Sequence, residues 1–209
     1  MLTGVILAGG EHDVGSALRL INGEPRISRQ IGEMQAVCEE IIIVANEPRK
    51  LLPVVPRSVR IITDFIPGFG ALSGMHAAFT LAKHYEIWVI TCRERSISSA
   101  AAQLLCERRR SFDYEAALPM YQEHPLPFHG VYSRSCLAPI TGLLEMKERG
   151  IDELLKRISW GAVDEAFFHD RQVDTGNFDR MERKLNKSRD RSPHVSYSGE
   201  QNGADNFGK

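Results

Sequence analysis

The sequence predicts a single α/β domain of three layers, with helices on both faces of a mainly parallel sheet. Two observations carry this. The runs GVILAG (4–9), EIIIVAN (40–46), VRIITD (59–64) and EIWVITC (86–92) are continuously apolar, without the alternation of a half-exposed strand. Between them lie segments with apolar residues at helical spacing, and strand and helix in alternation give a doubly wound, parallel sheet.

Taken in order, GVILAG is the first strand and ends in a glycine turn. PRISRQIGEMQAVC (25–38) is helical, followed by the strands of 40–46 and 59–64. LSGMHAAFTLAKH (72–84) is the next helix, and AAAQLLCERRR (100–110) follows the strand of 86–92. YEAALPMY (114–121) and HPLPFHGVYS (124–133) read as a strand pair or insertion that its prolines keep near a sheet edge. RSCLAPITGLLEMKERG (134–150) and IDELLKRI (151–158) are helical, with Gly150 as a cap between them. FFHDRQVDTGNFDRMERKL (167–185) is expected to give a short strand, a turn at Thr175 and Gly176, and a final helix. From residue 186 the chain is polar and poor in aliphatics, and is expected to be a disordered tail after a domain of residues 1–185.

At 209 residues and 43% hydrophobic, the chain can bury one substantial core. Its net charge of -1 argues against a nucleic-acid partner, which demands a basic surface. No run approaches the roughly 18 apolar residues of a membrane span, and MLTGVILAGG lacks the basic start of a signal peptide. Cys38, Cys92, Cys106 and Cys136 form no CxxC pair, so neither a zinc site nor a disulfide framework is expected, and a reducing cytoplasm fits.

The loop LAGGEHDVGSALRLINGEP follows the first strand. Small residues there let the backbone approach a ligand, and exposed amides bind phosphate, although Gly-Gly after a strand is also an ordinary tight turn. ILAGG at the start, INGEP after it, VAN closing the second strand and TDFIPGFGALSGMHAAF after the third resemble, in that order, the molybdenum cofactor guanylyltransferase family. The resemblance runs on through HPLPFHGVYSRSCLAPITGLLEMKERGIDELL and covers roughly residues 3–185. It implies a Rossmann-like fold of the nucleotide-diphospho-sugar transferase type. The implied reaction moves GMP from GTP to the phosphate of molybdopterin, with Mg2+ as cofactor. The alternatives are a family member that binds a nucleotide without catalysis, and a nucleotidyltransferase for another phosphorylated acceptor.

By the same resemblance, Leu7, Ala8, Gly9 and Gly10 form the nucleotide-contacting turn, and Asn46 lies near the base. Asp64 contacts nucleotide or metal, and Gly68, Gly70 and Gly74 shape the entry into a helix. Asn46 and Asp64 have plainer readings as a strand-end residue and a turn acid. Two positions depart from the pattern. The first loop of the family carries an Arg and then a Lys, whereas here Arg19 is the only cation at a matching place. The fourth strand ends in a metal-binding Asp in the family, and Arg93 stands there in ITCRERSIS, reversing the charge. Arg19 and Arg93 are therefore the candidate charge-stabilising residues. Glu94 is expected on the opposite face from Arg93. His76 is expected to be a packed or surface residue, and Arg108, Arg109 and Arg110 a solvated helix end. His124, His129 and Tyr132 fall where the family would meet its pterin.

Overall fold

The strand β1 (Leu2–Ala8) is buried along its whole length, as are β4 (Glu40–Ala45) and all but the last residue of β6 (Glu86–Thr91). In this computed structural model, residues 1–10 and 12–175 are described, and they fall within one unit, Met1–Asn177. Between these strands come α1 (Asp13–Leu18), the hairpin β2 (Leu20–Ile21) and β3 (Glu24–Pro25), and α2 (Arg26–Gln35). They are followed by α3 (Pro48–Leu51), β5 (Arg60–Ile62) and α4 (Gly70–Leu81). After β6 run α5 (Ser99–Ser111), β7 (Ala116–Tyr121), β8 (His124–Pro125), β9 (Val131–Ser133), α6 (Leu137–Glu145), α7 (Ile151–Leu155), β10 (Trp160–Val163) and α8 (Glu165–Asp170).

The main sheet has the order β10-β7-β9-β6-β1-β4-β5, with β8 alongside β7. β1 pairs parallel with β4 from Thr3↔Glu40 to Ala8↔Ala45, and parallel with β6 from Leu2↔Glu86 to Leu7↔Thr91. β9 is antiparallel to both β6 and β7, so the sheet is mainly parallel. Val5, Leu7, Val44 and Val89 pack on Leu72, Met75 and Phe79 of α4 and on Ile140 and Leu143 of α6. The opposite face meets α2, since a Cβ on Gly4 would lie 2.7 Å from Met34 Sδ. α5 covers that same face through Arg109 and Glu86. Among the described residues no helix is long and apolar enough to cross a membrane.

β7 pairs antiparallel with β8 and β9 and lies next to the edge strand β10, near the edge as expected, with Pro119 between the last rung to β9 at Ala117 and the first to β8 at Met120. Other expectations are corrected. Gly150 begins α7 as its N-cap, while the left-handed residue just past α6 is Lys147 (φ 62°). Phe167 and Phe168 belong to a helix, because Asp164 caps α8 by accepting from Phe167 N at 2.9 Å. The strand in that region is β10, seven residues earlier than Phe167. The turn at Gly176, the final helix and the polar tail lie outside the described residues. The four cysteines are free.

The basic end of α5 is not solvated throughout. Arg109 is buried and donates to Glu86 Oε1 at 2.7 Å, and Arg110 also donates to the same carboxylate. Burial alone would raise the Glu86 carboxyl, yet the hydrogen bonds from Arg110 and Arg109 outweigh it and hold it below the ordinary range. Glu40 is likewise held low against its burial, by Lys83 N, Arg60 and Thr3. Stability from two such depressed carboxylates is complete above the unfolded glutamate value, about 4.3, and is lost as pH falls through the lower folded values. Glu86→Gln strands the buried Arg109 charge and is expected to cost about 3 kcal/mol in urea unfolding at neutral pH. The gap to wild type should narrow as pH is taken below about 4.3.

Candidate functional site

In an open α/β sheet, ligands bind outside the carboxyl ends of the strands where the strand order reverses. Here the chain goes from β1 outward to β4 and β5, then returns to place β6 on the other side of β1. The crevice therefore opens between the ends of β1 and β6. Leu7 and Ala8 end β1, buried, and Gly9 and Gly10 leave it towards solvent. Cys92 N donates to the Leu7 carbonyl at 2.9 Å, which carries the β1 and β6 pairing one step beyond the strand. Asn46, just past β4, donates through Nδ2 to the Gly9 carbonyl and so ties the neighbouring strand end to the glycine turn.

Arg93 spans this crevice. Its Nε lies 2.5 Å from Asp13 Oδ1, and the other oxygen of that carboxylate accepts from Gly10 N at 2.8 Å. A Cβ on Gly10 would come within 2.8 Å of Asp13 Oδ2, so glycine is what lets the carboxylate close on the turn. Asp13 is a member of the site that the motif reading missed. Its signal was local, an acid three residues after a glycine, able to reach back to the glycine's amide.

A second layer supports the pair. Arg26, buried at the start of α2, donates from Nη1 to the Arg93 carbonyl at 3.0 Å, and Gln30 Nε2 donates to the carbonyls of Thr91 and Glu94. Arg26 Nε has no hydrogen-bond partner among the described residues. Burial first, then the charges of Arg95 and Arg19, lower the Arg26 pKa. Arg19 itself is exposed at the end of α1, and its carbonyl accepts from Arg26 N at 3.0 Å. Glu94 is buried and turned away from the Asp13 that Arg93 meets. Its Oε1 accepts from Thr91 Oγ1 at 2.9 Å, and its Oε2 lies 3.3 Å from His129 Nε2. Tyr132 is buried and donates to the Pro127 carbonyl at 2.8 Å.

Asp64 stands at the end of β5, two strand spacings or about 10 Å from the glycine turn in the sheet direction. Ser73 Oγ lies 3.1 Å from Asp64 Oδ2 and 2.5 Å from the Ile66 carbonyl oxygen, so one buried hydroxyl of α4 holds the start of the loop that leads into that helix. Gly68 (φ 92°) and Gly70 (φ 59°) take left-handed backbone there, which only glycine adopts freely. Gly74 permits the close approach of α4 to β1: a Cβ would meet Leu7 Cδ2 at 3.0 Å. His76, on α4, meets Phe65 edge to face, and burial lowers its pKa.

Mg2+ needs hard oxygen ligands in near-octahedral array. The end of β6 does not fit it: a guanidinium occupies the place, and the nearest carboxylate is already ion-paired to that guanidinium. Among the described residues no group of three or more His, Cys, Asp or Glu could hold a metal.

Residues 4–163 match the model of the MobA-like NTP transferase domain. The chain is 34% identical over 141 residues to a probable molybdenum cofactor guanylyltransferase of Pelotomaculum thermopropionicum, covering 66% of each chain. Its fold is similar to that of molybdopterin-guanine dinucleotide biosynthesis protein A from Archaeoglobus fulgidus, with a TM-score of 0.68 at 16% identity, covering 90% of this chain and 100% of that one. A Mycobacterium tuberculosis protein solved in complex with manganese also shares the fold, with a TM-score of 0.55 at 14% identity over 78% of this chain and 88% of that one. With the glycine turn at the strand-order reversal and a family match over most of its length, this chain belongs to the MobA-like NTP transferase family.

Proposed function

We propose that this chain transfers GMP from GTP to the phosphate of molybdopterin. An acceptor phosphate oxygen would attack the α-phosphorus, the bond from that phosphorus to the β-phosphate oxygen would break, and pyrophosphate would leave with the electron pair. The observation that carries the reading is the Gly9 and Gly10 turn at the switch point, tied to Asn46 on one side and facing Arg93 on the other. Amides and a fixed cation are what a phosphoryl centre gathering charge requires. Leu7, Ala8, Gly9 and Gly10 are assigned to the phosphates, Asn46 and Gly70 to the nucleoside, and Asp64 to a polar contact on the nucleotide. Arg93 and Arg19 are assigned to the charge on the leaving pyrophosphate. The relatives' names support the acceptor.

A second reading, nucleotide binding without turnover, is favoured by the Arg93 to Asp13 pair, which stands where a metal would otherwise meet the phosphates. The two readings part on one assay. Purified protein with molybdopterin, GTP and Mg2+ is expected to release pyrophosphate and form the guanine dinucleotide. Binding of GTP with no pyrophosphate from any nucleoside triphosphate would leave only the second reading.

The Asp64 assignment has its own test. Ser73→Ala removes the anchor of Asp64 and the Ile66 carbonyl, a loss of about 1 kcal/mol. It is expected to speed amide hydrogen exchange over residues 64–70 and to weaken GTP binding about fivefold by calorimetry. Faster exchange with unchanged affinity would take Asp64 out of the nucleotide site.

A further inference from the structure

The crevice between β1 and β6 is already occupied by an anion of the chain's own. Asp13 puts one carboxylate oxygen on the Gly10 amide at 2.8 Å and the other on Arg93 Nε at 2.5 Å. A backbone amide in a glycine turn and a guanidinium fork are the two donors that a phosphate group seeks. We propose that Asp13 is an internal stand-in for a ligand phosphate, displaced when a polyphosphate enters, and that the arginines around it bind that polyphosphate without a divalent cation.

The charge balance points the same way. Arg93 faces Asp13, and Arg26, bonded to the Arg93 carbonyl, feels the further positive charges of Arg95 and Arg19, against the carboxylates of Asp13 and Glu94. Glu94 is also engaged by Thr91 and lies beside His129, on the side away from the turn. Cys92 adds no negative charge, because burial and then Asp13 push its thiol up to about 12. Arg26 is the sharpest sign of the surplus: it is buried, yet its Nη1 donates to a carbonyl, that of Arg93, and its Nε has no partner among the described residues. A buried guanidinium short of acceptors is stabilised by an incoming anion. A phosphate that displaces Asp13 would take over both donors and lie beside this surplus. The displaced carboxylate would turn away by rotation of its own side chain, with α1 held in place by buried Val14 and Ala17.

This inference rests on the crevice being the phosphate site of the proposed reaction, so the experiment separates the two. Calorimetry is run with inorganic tripolyphosphate in EDTA, and with GTP in EDTA and in Mg2+, on wild type, Asp13→Asn and Arg93→Gln. Asparagine keeps an acceptor for the Gly10 amide and removes the competing charge. Wild type is expected to bind tripolyphosphate in EDTA, Asp13→Asn about tenfold more tightly, and Arg93→Gln at least tenfold more weakly. Arg93 is half exposed, so Arg93→Gln carries the test should Asp13→Asn fail to fold, as its thermal melt would report. Tripolyphosphate binding that needs Mg2+, or that neither substitution alters, overturns the inference even if pyrophosphate is released from GTP. The expected binding pattern without turnover on GTP and molybdopterin upholds the inference and overturns the reaction. No binding of either ligand under any condition overturns both.

Discussion

β1 carries a parallel ladder on each side, and this double pairing fixes where the loops at the carboxyl edge begin. Because Ala8 is level with Ala45 and Leu7 with Thr91, the residues that follow emerge side by side: Gly9 beside Asn46 on one side and level with Arg93 on the other. The register in turn follows from burial. A one-residue slip would turn Val5 and Leu7 away from α4 and carry Gly4 out of the space beside Met34, where no Cβ fits. The site is therefore positioned by the core and not by the loops themselves. That explains how the glycine turn can be assembled although its own residues make few apolar contacts.

Given that frame, the chemistry of the crevice depends on charges that the core does not specify. Arg93 lies just beyond β6, and nothing in the apolar packing demands one sign of charge there. What the structure does demand is balance. A guanidinium beside the turn draws in Asp13, and Asp13 draws in the Gly10 amide, so three groups from two distant segments become one unit. Arg26 and Gln30 of α2 then bind the carbonyls of the loop that carries Arg93, fixing that loop by its backbone. The side chain is held by the ion pair and the main chain by α2. Such a loop is pre-organised, which favours ligand binding by reducing the ordering that binding must impose.

Legibility in the sequence follows the range of the forces involved. β1, β4 and β6 are readable because burial on both faces writes an unbroken apolar run into a few residues. β10 is not, since its Gly161 is there to admit the ring of Tyr114, which would lie 2.5 Å from a Cβ, and that reason is tertiary. Phe167 and Phe168 mislead for the opposite cause: an apolar pair resembles a strand, while the cap from Asp164 that makes it a helix is a polar signal one turn upstream. At the site, the glycine turn, Asn46 and Asp64 are legible as motif positions, and Asn46 does touch the turn. The Arg93 to Asp13 pair joins residues 80 apart in the chain and leaves no local pattern. Arg93 is legible alone and Asp13 is not; only the fold shows that they meet.

The reversal of charge at the end of β6 is thus compatible with an unaltered scaffold. A carboxylate there would need a cation from solution to approach a polyphosphate, whereas a guanidinium supplies that cation covalently. The two solutions differ in what occupies the crevice before the ligand arrives: free carboxylate with water in the first, and a neutralising side chain in the second. Asp13 meets the second requirement, and because it is the first residue of α1, rotation of its side chain alone uncovers Gly10 N and Arg93 while Val14 and Ala17 keep the helix packed. Charge at this site is carried by the chain in a form that a change of one residue can reset, while the register of the sheet, which a change of one residue could ruin, is left to the buried strands.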